Sequence, residues 1–271
     1  MPTLPLYVVD AFADRPFAGN PAAVVPLDSW LPDAVLQGIA AEHNLSETAF
    51  VVAEPAGLHL RWFTPTIEVA LCGHATLATA FVLATERGLA PPFAFRTRSG
   101  ELRVTREGEQ YVLDFPANPP APADAPPGLA EALGACPREV WKARDWIAVF
   151  DDAATVRALA PDHARIAALP GEASRLIATA PGDRGVDVVS RYFAAKIGIP
   201  EDPVTGAAHV QLVPFWAERL GRDRLTCVQA SRRGGTLHCR LAGERVLMGG
   251  AARLYARGEI APLSASSQRS T

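Results

Sequence analysis

The sequence predicts a mixed α/β chain (α+β) made of two similar halves, each mostly sheet around one central buried helix. Three observations predict it. Short apolar runs bounded by Gly, Pro and Asn recur along the chain and read as strands. Two helical stretches, beginning near Ala75 and Ala207, are largely apolar. Arg61-Trp62-Phe63 is echoed by Arg191-Tyr192-Phe193, and each triplet is followed by a polar loop bearing Gly or Pro and then an apolar helix. Self-similarity at about half the chain length argues for duplication.

The elements follow in order. Leu6 to Phe12 reads as a strand, ADRPFAGNP as a loop, and Ala22 to Pro26 as a second strand. Leu31 to His43 has helical spacing with Pro32 near its start. Thr48 to Ala53 and Leu58 to Thr64 are strands, and Thr64-Pro65-Thr66 is a break. Ala75 to Ala84 then reads as a helix apolar all round, too short for a membrane span and therefore sheathed by sheet. Short strands follow at Phe93 to Arg96, Leu102 to Thr105 and Tyr111 to Phe115.

PANPPAPADAPPG, from Pro116 to Gly128, has linker composition, which places a domain boundary near residue 118: domains 1–118 and 119–264, the last strand either staying in the second or crossing back to the first, with 265–271 a disordered tail. In the second half, Leu129 to Gly134 suggests a short helix. Thr155 to Ala168 is helical with a break at Pro161. Trp146 to Phe150, Arg175 to Thr179 and Val186 to Phe193 are strands, and IGIPEDPVTG is a loop. Ala207 to Leu220 is the second apolar helix, where Pro214 should kink or loosen a turn. Leu225 to Ala230, Thr236 to Leu241 and Val246 to Tyr255 are the closing strands.

Composition narrows the function. The 271 residues are 49% hydrophobic and 20% charged with net charge −3, which gives no electrostatic case for nucleic acid or an anionic membrane. MPTLPLYVVDAF has no basic or long apolar region, so no signal peptide is expected, and no stretch is long and apolar enough to be transmembrane. The cysteines, Cys72, Cys136, Cys227 and Cys239, form no CxxC pair, which fits a cytoplasmic protein with reduced thiols. The histidines show no HxH or HExxH spacing, so no metal is expected; no P-loop and no GxGxxG after a strand argue against a nucleotide. Arg232-Arg233 is a small basic surface spot.

A few residues could carry chemistry. Glu47 stands between a helix and a strand, as an ordinary loop acid or, if partly buried, a proton carrier near neutral pH. His74 heads the first buried helix, as a capping histidine or, neutral there, a hydrogen-bonding or relay group. Asp202 heads the second, as a cap or, if the two like domains form a cleft, a partner of His74 across it. Cys72 is a buried structural thiol or, at a helix N-terminus, an acid or base with lowered pKa.

VVDAFADRPFAGNPAAVV, NLSETAFV, RWFTPTIEVALCGHATLATAFVL and IGIPEDPVTGAAH, in this order and spacing, resemble the PhzF family of phenazine-biosynthesis isomerase-like proteins over nearly the whole chain. The resemblance implies a diaminopimelate epimerase-like fold: two α/β domains, each a barrel-like, mostly antiparallel sheet wrapped around a central helix, with the active site between them. It implies a cytoplasmic homodimer with no cofactor and no metal, acting on a small carboxylate. In the phenazine enzyme of that family, trans-2,3-dihydro-3-hydroxyanthranilate is isomerised by moving a proton between ring carbons. The family's proton-transferring glutamate falls on Glu47, and its assisting histidine and aspartate fall on His74 and Asp202. Backbone near Gly73 and Gly206 is expected to hold the substrate carboxylate, with Asn20 lining the same site. Ala207 stands where the family usually has serine, and Cys72 stands where related epimerases carry a catalytic cysteine. A cysteine-assisted racemase or epimerase, or a non-catalytic small-molecule binding protein on the same fold, are the alternatives.

Overall fold

The computed structural model describes residues 3–170 and 175–261, so the tail expected over 265–271 lies outside the described residues. The chain divides into two compact units. One holds the chain up to Phe17, then Pro21–Leu113 and the chain from Ala251 on; the other holds Ala18–Asn20 and Asp114–Gly250.

The first unit opens with β1 (Leu4–Ala11) and β2 (Asn20–Leu27), whose first residue, Asn20, belongs to the second unit. Helix α1 (Asp33–His43) has Pro32 at its N-cap and Asp33 in its first turn, and it stops at Asn44, which takes the left-handed conformation that Asn tolerates. Next come β3 (Glu47–Glu54), β4 (Gly57–Phe63), the two-residue β5 (Glu68–Val69), α2 (Gly73–Thr85), β6 (Phe93–Thr97), β7 (Gly100–Glu107) and β8 (Gln110–Pro116). On α2, every residue from His74 to Ala80 is buried, as are Val82 and Leu83. A helix with so little charge has no face to offer water, so sheet covers it. Under α1, Leu36 and Ala40 pack with Val25, Phe50 and Phe63 in a separate apolar cluster.

The second unit continues with β9 (Ala121–Pro122), α3 (Leu129–Leu133), β10 (Glu139–Lys142), β11 (Trp146–Val149), α4 (Ala153–Ala158), α5 (His163–Ala168), β12 (Leu176–Pro181), β13 (Val188–Ala194) and β14 (Ile199–Asp202). It closes with α6 (Gly206–Leu220), β15 (Arg224–Gln229), β16 (Gly235–Ala242) and β17 (Arg245–Gly250). The last strand, β18 (Ala252–Ile260), returns to the first unit and pairs antiparallel with β1. Pro161 separates α4 from α5, and each of these helices is capped by an aspartate side chain, Asp152 or Asp162.

Strand pairing repeats between the halves. In the first, β2 pairs parallel with β3, β3 antiparallel with β4, β4 parallel with β6, and β6, β7 and β8 antiparallel in turn. In the second, β11, β12, β13, β15, β16 and β17 make the same pairs with the same polarities. Antiparallel pairings outnumber parallel ones in each half.

Three local expectations are corrected. The PANPPAPADAPPG segment is more than a linker: β9 within it pairs with β10. The IGIPEDPVTG loop contains β14, which pairs with β13. The single strand expected over Val246 to Tyr255 is two, β17 ending at Gly250 and β18 beginning at Ala252. Pro214 lies inside α6, where the sequence placed it. Proline cannot donate to the Val210 carbonyl four residues back, and the Asn118 backbone N–H donates to that oxygen instead at 2.9 Å.

Candidate active site

In the first unit, Glu47 begins β3 beside Ala22 of β2, and its side chain is 14% exposed. The chain then runs through β4 and β5 to Cys72, the extended N-cap of α2, and to His74, the helix's second residue. Glu47 Oε2 lies 3.3 Å from His74 Nε2, and Cys72 Sγ lies 3.5 Å from His74 Nδ1. The imidazole thus stands between a carboxylate and a thiol. Burial pushes the His74 pKa down to about 3, so the ring is neutral throughout the physiological range. A neutral ring carries one N–H and one acceptor nitrogen and can pass a proton along the line of its two partners. Thr76 Oγ1 donates to the Cys72 carbonyl at 2.5 Å and holds the first turn. Ligand atoms of Glu47, Cys72 and His74 lie within 4.8 Å of one another, so this is also a donor set that could hold a metal ion.

In the second unit, Asn20, Asp202, Thr205 and Gln229 form a buried polar cluster. Asp202 is the last residue of β14, not the cap of α6; Thr205 holds the N-cap position. Asn20 Nδ2 donates to Asp202 Oδ1 and to the Val204 carbonyl, both at 2.9 Å. The Thr205 hydroxyl donates to Asp202 Oδ2. Burial pushes the Asp202 pKa up to about 6, against the pull of the Thr205 and Asn20 hydrogen bonds. On the next turn of the helix, His209 Nδ1 donates to the Thr205 carbonyl at 2.8 Å, and burial lowers the pKa of this ring to about 4.

Gly73 and Gly206 are the first residues of α2 and α6, and Ala207 is the second residue of α6. Neither Cys72 nor Thr205 forms a side-chain cap hydrogen bond. At neither helix start does the N-cap side chain take up the N–H groups of the first turn, an arrangement that suits an anion.

Sequence reasoning set Glu47, His74, Asp202 and Asn20 in one site, with Cys72 beside His74; the structure brings Glu47, His74 and Cys72 together in the first unit and Asn20 and Asp202 together in the second, and sequence reasoning missed the groups around Asp202. Gln229 donates to the Asp202 carbonyl at 2.7 Å and to Thr205 Oγ1 at 3.1 Å, and accepts from the Thr205 N–H at 2.8 Å. The signal for it was available: Leu225, Cys227 and Gln229 occupy the inward positions of β15, and an amide at such a position must find buried partners. Arg233, read as a surface spot, donates to the carbonyls of Gly19 at 2.8 Å and Ala18 at 3.1 Å. No sequence pattern announces that contact, because it spans more than 200 positions.

A family model described as phenazine biosynthesis-like protein, PhzC-PhzF, matches residues 9–258. The chain is 53% identical over 258 residues to an uncharacterized isomerase of Pseudomonas aeruginosa, covering 95% of this chain and 98% of that protein. Its structure aligns with the PhzF-family phenazine biosynthesis protein of Enterococcus faecalis at a TM-score of 0.93 and 48% identity, over 96% of this chain and 100% of the other. A hydroxyproline epimerase of Agrobacterium vitis has a TM-score of 0.59 at 12% identity, covering 95% of this chain and 92% of the other, and shares the fold alone. Matched over residues 9–258 by the family model and over 95% of its length by an isomerase at 53% identity, the chain belongs to the PhzC-PhzF family of phenazine biosynthesis-like proteins and is an isomerase.

Proposed function

We propose that this protein is a cofactor-independent isomerase of the PhzF type that moves a proton between carbons of a small carboxylate substrate. Glu47 takes the proton from a carbon activated by a neighbouring unsaturated or carbonyl-bearing group and returns it to another carbon of the same molecule. His74 holds and relays the proton beside it, and Asp202 is a second titratable group of the same reaction. The N–H groups at Gly73 and at Gly206-Ala207 hold the substrate carboxylate, and Asn20 lines the site. The observation that carries this reading is the Glu47 carboxylate set 3.3 Å from a buried, neutral His74. We further take the working form to be a cytoplasmic homodimer, on the strength of the family resemblance.

The test is incubation with trans-2,3-dihydro-3-hydroxyanthranilate in deuterated water, followed by mass spectrometry, for the wild type beside Glu47→Gln. Isomerisation with deuterium uptake in the wild type, lost in Glu47→Gln, is the expected result. Equal turnover by the two proteins overturns the role of Glu47. No turnover by either rejects this substrate, and Ala207, which lacks the hydroxyl the family usually presents, is then the first position to restore to serine.

The contact between Cys72 Sγ and His74 Nδ1 favours a second reading, a cysteine-assisted racemase or epimerase. In that case Cys72→Ala abolishes exchange of the substrate Cα proton with solvent, and a thiol-alkylating reagent does the same to the wild type.

A further inference from the structure

All three hydrogen-bonding positions used by the Gln229 amide are defined by backbone or hydroxyl partners, so its orientation is settled. Oε1 faces the Thr205 N–H at 2.8 Å and Nε2 faces the Asp202 carbonyl at 2.7 Å; turning the amide over would set donor against donor and acceptor against acceptor. The remaining Nε2 proton goes to Thr205 Oγ1 at 3.1 Å. That hydroxyl is therefore already an acceptor from Gln229, and its own proton is free to point at Asp202 Oδ2. Gln229 is fully buried, so water does not compete for these positions.

We propose that Gln229 is a positioning residue for Asp202: by donating to the Thr205 hydroxyl it turns that hydroxyl's proton onto the Asp202 carboxylate and fixes how readily Asp202 takes up a proton. The proposal deepens the isomerase reading and rests on it where it concerns catalysis. The other oxygen of Asp202 is held by Asn20 Nδ2, so both carboxylate oxygens receive donors. Among the described residues, the titratable groups near Asp202 include Glu201 on the same strand, Tyr192 opposite it on β13, and His209 on α6, which bonds to the Thr205 carbonyl. Glu201 is committed to Arg191 through hydrogen bonds of 2.7 and 3.0 Å, and burial keeps the Tyr192 phenol protonated and the His209 ring neutral near pH 7. Neither Tyr192 nor His209 changes charge where Asp202 titrates, so a change at Gln229 is read on Asp202 itself.

The same region holds Asp202 from a second direction. Ser231 Oγ donates to the Pro203 carbonyl at 2.8 Å, just beyond the end of β15. The segment from Asp202 to Thr205 is thus pinned at its backbone by more than Gln229: without the glutamine amide, Ser231 still holds the Pro203 carbonyl and Asn20 the Val204 carbonyl.

The test is the titration of Asp202 followed by the carboxyl carbon resonance in protein labelled at the aspartate side chains, with Asp202→Asn used to assign the signal. In Gln229→Met, the Asp202 midpoint is expected to rise by about one pH unit, a tenfold gain in proton affinity. Gln229→Glu, whose carboxylate accepts from the Thr205 hydroxyl, is expected to raise it as well. Thr205→Val removes the donor directly and raises the midpoint at least as far, while Thr205→Ser keeps it at the wild-type value. In Thr205→Val/Gln229→Met the glutamine change adds nothing further, because the hydroxyl through which it acts is gone. An unchanged midpoint in folded Gln229→Met, or the same Gln229 effect with and without the hydroxyl, overturns the proposal. Because the titration needs no turnover, its outcome is separate from the Glu47→Gln experiment, and either idea can fall while the other stands.

Discussion

In the first half of the chain, Arg61 holds Glu68 through Nε and Nη2, both at 2.9 Å; in the second, Arg191 holds Glu201 through the same atoms at 2.7 and 3.0 Å. Each guanidinium also lies 5.1 Å from the ring two residues on, Phe63 or Phe193. Phe63 stands opposite Thr48 and Phe193 opposite Leu176, so the strands are in the same register. Val69 opposite Trp62 corresponds to Asp202 opposite Tyr192. Counting on from there, Cys72 corresponds to Thr205, His74 to Ala207 and Thr76 to His209. Thr76 donates to the Cys72 carbonyl, and His209 donates to the Thr205 carbonyl.

The scaffold is therefore common to both halves, down to the bond that closes the first helical turn, while the reactive groups are not. The first half places its carboxylate at the start of a strand, Glu47, where the second half has Arg175. The second places its carboxylate on the short strand before the helix, Asp202, where the first has Val69. Duplication supplied two equivalent helix starts, and substitution at a few positions gave them different chemistry.

The comparison can be broken in four ways, taken from the largest expected effect. Glu47→Gln should lower proton transfer by about a hundredfold or more, the contribution typical of a general acid–base group. Arg175→Gln, at the corresponding position of the other half, should leave the deuterium-exchange rate within about threefold, since a residue outside the proton-transfer step carries none of that contribution. A comparable loss in both would mean that the halves share the work.

The pH dependence of stability should have opposite signs in the two halves. His74 has a pKa lowered to about 3 in the fold against 6.5 unfolded, so the unfolded chain binds more protons and stability is lost as pH falls from about 6.5 towards 3. Asp202 has a pKa raised to about 6 against 3.8, so the folded chain binds more protons and stability is lost as pH rises from about 4 to 6. Urea unfolding across this range should show a flatter acid limb in His74→Gln and a smaller loss between about pH 4 and 6 in Asp202→Asn. Unchanged slopes would mean that neither group titrates as its burial dictates.

The two forks should be worth similar amounts. Arg61→Met and Arg191→Met each leave a mostly buried glutamate without its bidentate partner, at a cost of about 3 kcal/mol in urea unfolding. A marked difference between them would show that the matching geometry does not carry matching energy. The smallest effect is expected at Pro214→Ala, within about 1 kcal/mol of wild type. The Val210 carbonyl is already satisfied by the Asn118 N–H, so the helical hydrogen bond that alanine could restore has little left to gain. A large stabilisation would mean that the proline strains α6.

Much of this was legible in the sequence for local reasons. The α2 stretch is apolar on all sides, which requires burial whatever surrounds it, and Pro161 divides α4 from α5 because proline has no N–H to give. The family motifs placed Glu47, His74, Asp202 and Asn20 among the candidate residues. β5, β9, β10 and β14 were not legible, because their two to four residues carry too little pattern to separate from loop.

The sequence by itself determined the longer helices, most of the longer strands, the duplication and the membership of the family, because periodicity, breakers and motif spacing are properties of neighbours along the chain. Only the tertiary structure decided that Asp202 belongs to a strand and that Thr205 caps α6. It also decided that Gln229 and Asn20 reach Asp202 from 27 and 182 positions away. Buried polar groups must be satisfied by whatever the fold brings beside them, and which groups those are is fixed by strand register and helix packing rather than by distance along the chain.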